Sequence, residues 1–105
     1  MDKKKDIIRK LSKFKSKVNK DMPLQKVIFF GSMASGKPHK WSDVDLIIVS
    51  AGFKKKNIFK RGAKLYDYWD LNLPVDFLCY TPEEFEKKKK QIGIIKTAVE
   101  EGIEI

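Results

Sequence analysis

A chain of 105 residues with 42% hydrophobic and 35% charged side chains is large enough for one core, too small for two, and too apolar to stay disordered. Lys and Arg outnumber Asp and Glu by 23 to 14, a formal charge of +9, which favours polyanions such as nucleic acid or nucleotide phosphates. No apolar stretch approaches the roughly 20 residues that cross a bilayer, and the lysine-rich start lacks the apolar run and cleavage site of a signal peptide; a cytoplasmic protein with no membrane part, folded as one domain over residues 1–105, is expected.

Ile7, Leu11, Phe14 and Val18 recur at helical spacing between charged residues, which predicts an amphipathic helix over residues 3–20, ended by Met22-Pro23. Gln25 to Phe30 is short, β-branched and aromatic, and stops at Gly31; it reads as a buried strand. Asp43 to Ser50 becomes a continuous aliphatic run, as suits a central strand covered on both faces. Ile58, Gly62, Leu65, Tyr66 and Trp69 fall on one stripe with lysines and Arg61 opposite, predicting a second long helix in which Tyr66, Tyr68 and Trp69 serve packing. Leu73 to Tyr80 reads as a third strand, with Pro74 placing its start or marking an edge, and Cys79 within it as a small buried hydrophobe. Thr81-Pro82-Glu83-Glu84 carries an N-cap, a first-turn proline and a capping-box glutamate; the helix it opens continues its apolar face through Phe85, Ile92, Ile95 and Val99, with Gly93 able to divide it. The lysine runs at 3–5, 54–56 and 87–90 read as solvated faces. The expected fold is α/β (α+β), a small mixed sheet of three to four strands flanked by helices.

The segment joining the first two strands, GSMASGKPHKWSDVD from Gly31 to Asp45, admits two chemistries. Gly31 to Lys37 has the spacing of a phosphate-binding P-loop, but Pro38 stands where a hydroxyl should reach magnesium, and the next strand begins before a helix and parallel crossover fit. Asp43 and Asp45, two apart at a strand start, project from one face. Side by side they repel, and a hard cation such as magnesium, which takes oxygen ligands, waters and substrate phosphates, makes the pair favourable. An EF-hand is excluded by the aliphatic run from Leu46 to Val49. Gly31 lets backbone approach a ligand, and the Ser32 hydroxyl with the amides of the turn after it offers partners to phosphate oxygens. Asp76 is a third acid, inside a predicted strand where a lone buried carboxylate is costly, on the face opposite Val75, Phe77 and Cys79. If that strand lies beside Asp43 to Ser50, three carboxylates converge. Lys37 and Lys40 suit contact with a triphosphate and plain surface charge equally, Trp41 suits stacking on a base and packing against the sheet equally, and His39 reads as an exposed loop residue in preference to a phosphate contact or base.

Gly31-Ser32, then Ser42-Asp43-Val44-Asp45-Leu46, then Asp76 on a later strand resembles the nucleotidyltransferase superfamily of DNA polymerase beta. More narrowly, the chain is similar to the small stand-alone prokaryotic MNT proteins, often encoded beside a helical HEPN partner. The resemblance covers nearly the whole chain. It implies a polymerase beta-like nucleotidyltransferase core in which Gly31 and Ser32, with Ser42, hold the phosphates of a nucleoside triphosphate, while Asp43, Asp45 and Asp76 bind two magnesium ions and transfer a nucleoside monophosphate to an acceptor hydroxyl. It further implies ATP as donor and, in a toxin–antitoxin pair, AMP transfer to a HEPN toxin as acceptor. Larger superfamily members carry a further domain for the acceptor, so a homodimer or the partner is expected to complete the site here. Two alternatives stand beside this reading: a non-catalytic module that masks a partner, and transfer to RNA or to a small molecule, the sequence showing no RNA-binding motif with interleaved aromatics.

Overall fold

The computed structural model describes residues 3–36 and 43–105. Helix α1 (Lys3–Asp21) leads to strand β1 (Lys26–Phe30), the single turn α2 (Ser32–Ser35) and strand β2 (Val44–Val49); two 3-10 segments, Ala51–Phe53 and Ala63–Tyr68, precede strand β3 (Val75–Tyr80), helices α3 (Pro82–Lys88) and α4 (Ile94–Glu101), and strand β4 (Ile103–Glu104). The sheet order is β3-β2-β1-β4. β1 runs antiparallel to β2 and β4, and β2 runs parallel to β3. A mixed four-strand sheet flanked by helices is the fold class expected from the sequence.

Alternation along β2 divides the core into two layers. Val44, Leu46 and Ile48 face the layer that holds Ile7, Leu11, Phe14 and Val18 of α1, with Phe53, Leu65 and Cys79. Ile47 and Val49 face the other layer, made with Ile28, Phe30, Phe85, Ile95 and Ala98. Beyond Asp45 both faces are covered, so Leu46 to Val49 form the continuous aliphatic run predicted for this strand. The four apolar positions of α1 are all buried, as their spacing requires. Phe14 is the centre of an aromatic group, stacked 5.8 Å from Phe77 and edge-on 5.3 Å from Trp69, contacts that add to the area each ring buries.

The segment after β2 departs from its prediction. It is a series of turns ending in a six-residue 3-10 helix and not one long α-helix. Ile58 is 56% exposed and Tyr66 53% exposed, off the core they were expected to join, whereas Arg61, expected on the wet side, is only 6% exposed. The reason is hydrogen bonding. Arg61 donates to the Lys56 and Cys79 carbonyls at 3.2 and 3.3 Å and pairs with Glu84, which gives each nitrogen of the buried guanidinium a partner and ties the turns to the start of α3. Leu65 remains buried, and Tyr68 and Trp69 pack half-buried against the core.

The capping box is present in full: Thr81 Oγ1 accepts from the Glu84 amide at 3.2 Å and Glu84 Oε1 from the Thr81 amide at 2.9 Å. The single helix predicted beyond it is instead two. Gly93, at φ 151, takes a conformation that L side chains rarely adopt and breaks the run between α3 and α4. That break turns Ile92 out to 96% exposure, while Phe85 and Ile95 stay in the core and Val99 lies partly open. The chain then adds β4, whose Ile103 and Glu104 pair with Phe29 and Ile28.

Replacing Phe14 by Ala is expected to reduce stability by roughly 3–5 kcal/mol, the usual loss for a buried ring, read as a fall in urea midpoint; a loss below about 1 kcal/mol contradicts the packing described. The Arg61 guanidinium, with the Thr81 amide, holds the Glu84 carboxyl down at about 2 against an ordinary 4.5. A depressed carboxyl contributes stability that is complete above about pH 4.5 and is lost as pH falls towards about 2. Urea midpoints measured across that window should fall more steeply for the natural chain than for Glu84→Gln, and parallel curves would show that the pair contributes nothing.

Candidate active site

Phe30 ends β1 buried, and Gly31 then turns the chain at φ 83, ψ −167, outside the range of ordinary L residues. Ser32 opens the short turn α2, in which the Ser35 amide donates to the Gly31 carbonyl at 3.0 Å and the Ser35 hydroxyl to the Ser32 carbonyl at 2.9 Å. Ala34 buries its methyl against the core, and Gly36, left-handed at φ 80, closes the turn. Two glycines at positive φ and one buried alanine thus fix a tight turn at the sheet's end.

Phe30 stands opposite Asp45 in the antiparallel ladder, so the Gly31 turn lies against the carboxylate of Asp45. A Cβ built on Gly31 would come within 2.2 Å of Asp45 Oδ2. The absence of a side chain is therefore a packing requirement as well as a backbone one, and the two halves of the motif, fourteen positions apart in sequence, form one surface.

On the other side, Asp45 is the register partner of Asp76 in the parallel β2–β3 pair. Alternation puts both on the face of Ile47, Val49, Leu78 and Tyr80, and places Asp43, two residues before Asp45, on it too. Partial burial of Asp45 raises its carboxyl above the ordinary carboxylate range, and the charges of Asp76 and then Asp43 raise it further. Asp76 itself is exposed. The expectation that it is a costly buried charge is corrected: β3 is the sheet's edge and residue 76 lies near its start, where the helices leave it open to water. Among the described residues no three His, Cys, Asp or Glu side chains are gathered closely enough to hold a metal ion by themselves. The acids share one face and feel one another, but they do not form a closed cage.

Ser42, Lys37, Pro38, His39, Lys40 and Trp41 lie outside the described residues. Cys79 is buried, and burial pushes its thiol up to about 12, so it is an inert packing group. The contact between Gly31 and Asp45 has no signal in the sequence, because it depends on the register of β1 against β2.

Gly31→Ala is expected to destabilise the fold by about 1–3 kcal/mol, since it strains a residue at positive φ and drives a methyl into Asp45. Urea denaturation checks it, and a change within about 0.5 kcal/mol, the range of neutral surface substitutions, would show that the turn does not need glycine.

The sequence pattern of the nucleotidyltransferase domain matches residues 9–105. A solved candidate nucleotidyltransferase from Sulfolobus solfataricus is 26% identical, covering 80% of this chain and 75% of its own, with a TM-score of 0.64. A second candidate nucleotidyltransferase of known structure is 22% identical, covers 79% of this chain and 87% of its own, and shares the fold at a TM-score of 0.50. No curated protein matches the sequence. A mixed sheet that carries a glycine-serine turn against one strand-end aspartate, and a second aspartate beside it, is thus covered almost end to end by one pattern: the chain belongs to the nucleotidyltransferase domain family, whose chemistry is nucleotidyl transfer.

Proposed function

We propose that this face is a metal-dependent active site that moves a nucleoside monophosphate, AMP from ATP, onto an acceptor hydroxyl. The observation that carries the reading is the placement of Asp45 between the Gly31 turn and Asp76, with Asp43 near enough to act on its charge. A divalent cation fits this set. All donors are carboxylate oxygens, their mutual repulsion is what a cation relieves, and Gly31, having no Cβ, lets the Asp45 carboxylate lie directly against the Gly31-Ser32 turn. An all-protein cage is not needed, because magnesium at a triphosphate keeps waters and phosphate oxygens in its shell. Asp43, Asp45 and Asp76 would hold the two ions, which when bound neutralise charge on the attacking and leaving oxygens.

The chain's own residues do the rest. The Gly31-Ser32 backbone, with Ser32 and Ser42, holds the outer phosphates so that the α phosphorus faces the acceptor. Asp76, exposed at the sheet edge, takes the proton of the acceptor hydroxyl. The acceptor oxygen then bonds to the α phosphorus as the bond to the bridging oxygen breaks, and its electron pair leaves on pyrophosphate. The acceptor we favour is a HEPN-type protein partner, as the resemblance to the MNT proteins implies, which would make this chain an antitoxin acting in the cytoplasm.

Magnesium with a non-hydrolysable ATP analogue at a hundred times its Kd should stabilise the natural chain by about 2.7 kcal/mol, seen as a rise in Tm, and Asp45→Asn should abolish the rise; an equal rise in both proteins places the ligand elsewhere. For transfer itself, the chain is incubated with its co-purifying partner, ATP and magnesium, and the partner's mass is followed. Added adenylate that disappears in Asp43→Asn and Asp45→Asn is expected. Neutralisation of the partner that survives both substitutions, with no mass gain for any of the four nucleotides, would make the protein a masking module.

A further inference from the structure

The crossover from β2 to β3 carries a feature that nucleotidyl transfer does not use. Residues 52–66 contain Lys54, Lys55, Lys56, Lys60, Arg61 and Lys64 and no acid. Arg61 is buried and paired, while the five lysines are exposed and make no ion pair among the described residues. In the same crossover the fold displays apolar groups that a solvated face would not need: Phe59, next to Lys60 in the chain, is 90% exposed, and Ile58 and Tyr66 are open as well. They line a groove of about 580 Å³ along the outer edge of β3, floored by Phe77, Leu78 and Cys79.

The floor is not a free strand edge. The carbonyls of Pro74 and Tyr80 accept from the amides of Val44 and Ser50, so alternation points the even carbonyls of β3 to β2 and the odd ones outward. Two of the outward ones are taken, Val75 by the Tyr66 hydroxyl and Cys79 by Arg61, each at 3.3 Å. Those side chains blunt the edge against an added strand. What remains available is ring faces and ammonium groups.

We propose that this groove binds single-stranded nucleic acid, with a base stacked on Phe59 and a second against Tyr66, and with Lys60, next to Phe59 in the chain, and Lys54 and Lys55 of the preceding turn reaching the phosphates; Lys56 and Lys64 line a second hollow beside Asp21 and are left out of the site. Exposed aromatics set among unpaired cations are the two parts of a sequence-tolerant single-strand site, and the net charge of +9 disfavours a second copy of this chain as occupant. The site is separate from the carboxylates, because none of Gly31, Asp43, Asp45 or Asp76 lines the groove, and it stands whether or not transfer occurs.

The test is fluorescence anisotropy with a labelled 12-nucleotide oligo(U) and, in parallel, a duplex of the same length. The single strand should bind more tightly. Phe59→Ala should weaken it by about tenfold, within the range for losing one base stack, and Phe59→Trp should retain it; so exposed a ring can be removed without unfolding the chain, which circular dichroism confirms. Changing Lys54, Lys55 and Lys60 to Gln should make the slope of log affinity against log salt shallower by about 2, the release of three single-strand phosphate contacts. Asp45→Asn should bind oligo(U) as the natural chain does, even where it has lost transfer. Equal affinity of Phe59→Ala and the natural chain, or of duplex and single strand, would overturn the proposal, as would loss of binding in Asp45→Asn. An acidic Glu- and Phe-containing peptide that binds at this face while oligo(U) does not would also overturn it, by making the groove a protein-docking surface.

Discussion

Asp45 is held in a position that the fold alone would not favour. It lies near the start of a strand whose other residues are buried, its carboxyl pressed against Gly31 on one side and registered with a second acid on the other. Partial loss of water and two neighbouring negative charges all work against its ionised form. The sheet tolerates this because β2 is paired over five residues with β1 and over six with β3, and because the core on its two faces fills independently of the acid. That gathering of negative charge on one face is the observation on which the proposed cation binding rests.

The surrounding elements serve that register. α1 closes one face of the sheet with four apolar side chains, and α3 and α4 close the other with Phe85, Ile95 and Ala98. The parallel β2–β3 pair needs a crossover longer than a hairpin, and here that crossover is built from turns held by Arg61 in place of a long helix. A chain of turns keeps less of its apolar surface inside than a helix would, which is why Ile58, Phe59 and Tyr66 come to lie open along the β3 edge. The groove and the exposure of Asp76 share one origin, the edge position of β3.

Periodicity made α1 and the three longer strands legible, because burial on one face or on two leaves a direct imprint on residue order. The capping box gave the start of α3 for the same local reason. The positions of the Gly31 turn and the paired aspartates were readable, since a glycine ends the apolar run of β1 and residues two apart at a strand start share one face. The crossover misled because Ile58, Leu65, Tyr66 and Trp69 do fall on a helical stripe, yet hydrogen bonds from Arg61 to two carbonyls favour turns over the helix. Periodicity carries no information about such a competitor.

What the tertiary structure alone decided is which acids meet and how. Spacing places Asp43 and Asp45 on one face, but only the parallel pairing of β2 with β3 sets Asp76 beside Asp45, and only the antiparallel register of β1 brings Gly31 into contact with that carboxylate. The sequence by itself determined the elements, their faces and the chemical types at their ends, because these depend on neighbours along the chain. The meeting of residues 31, 45 and 76 depends on strand order, direction and register, which are settled by how the two core layers pack over the sheet.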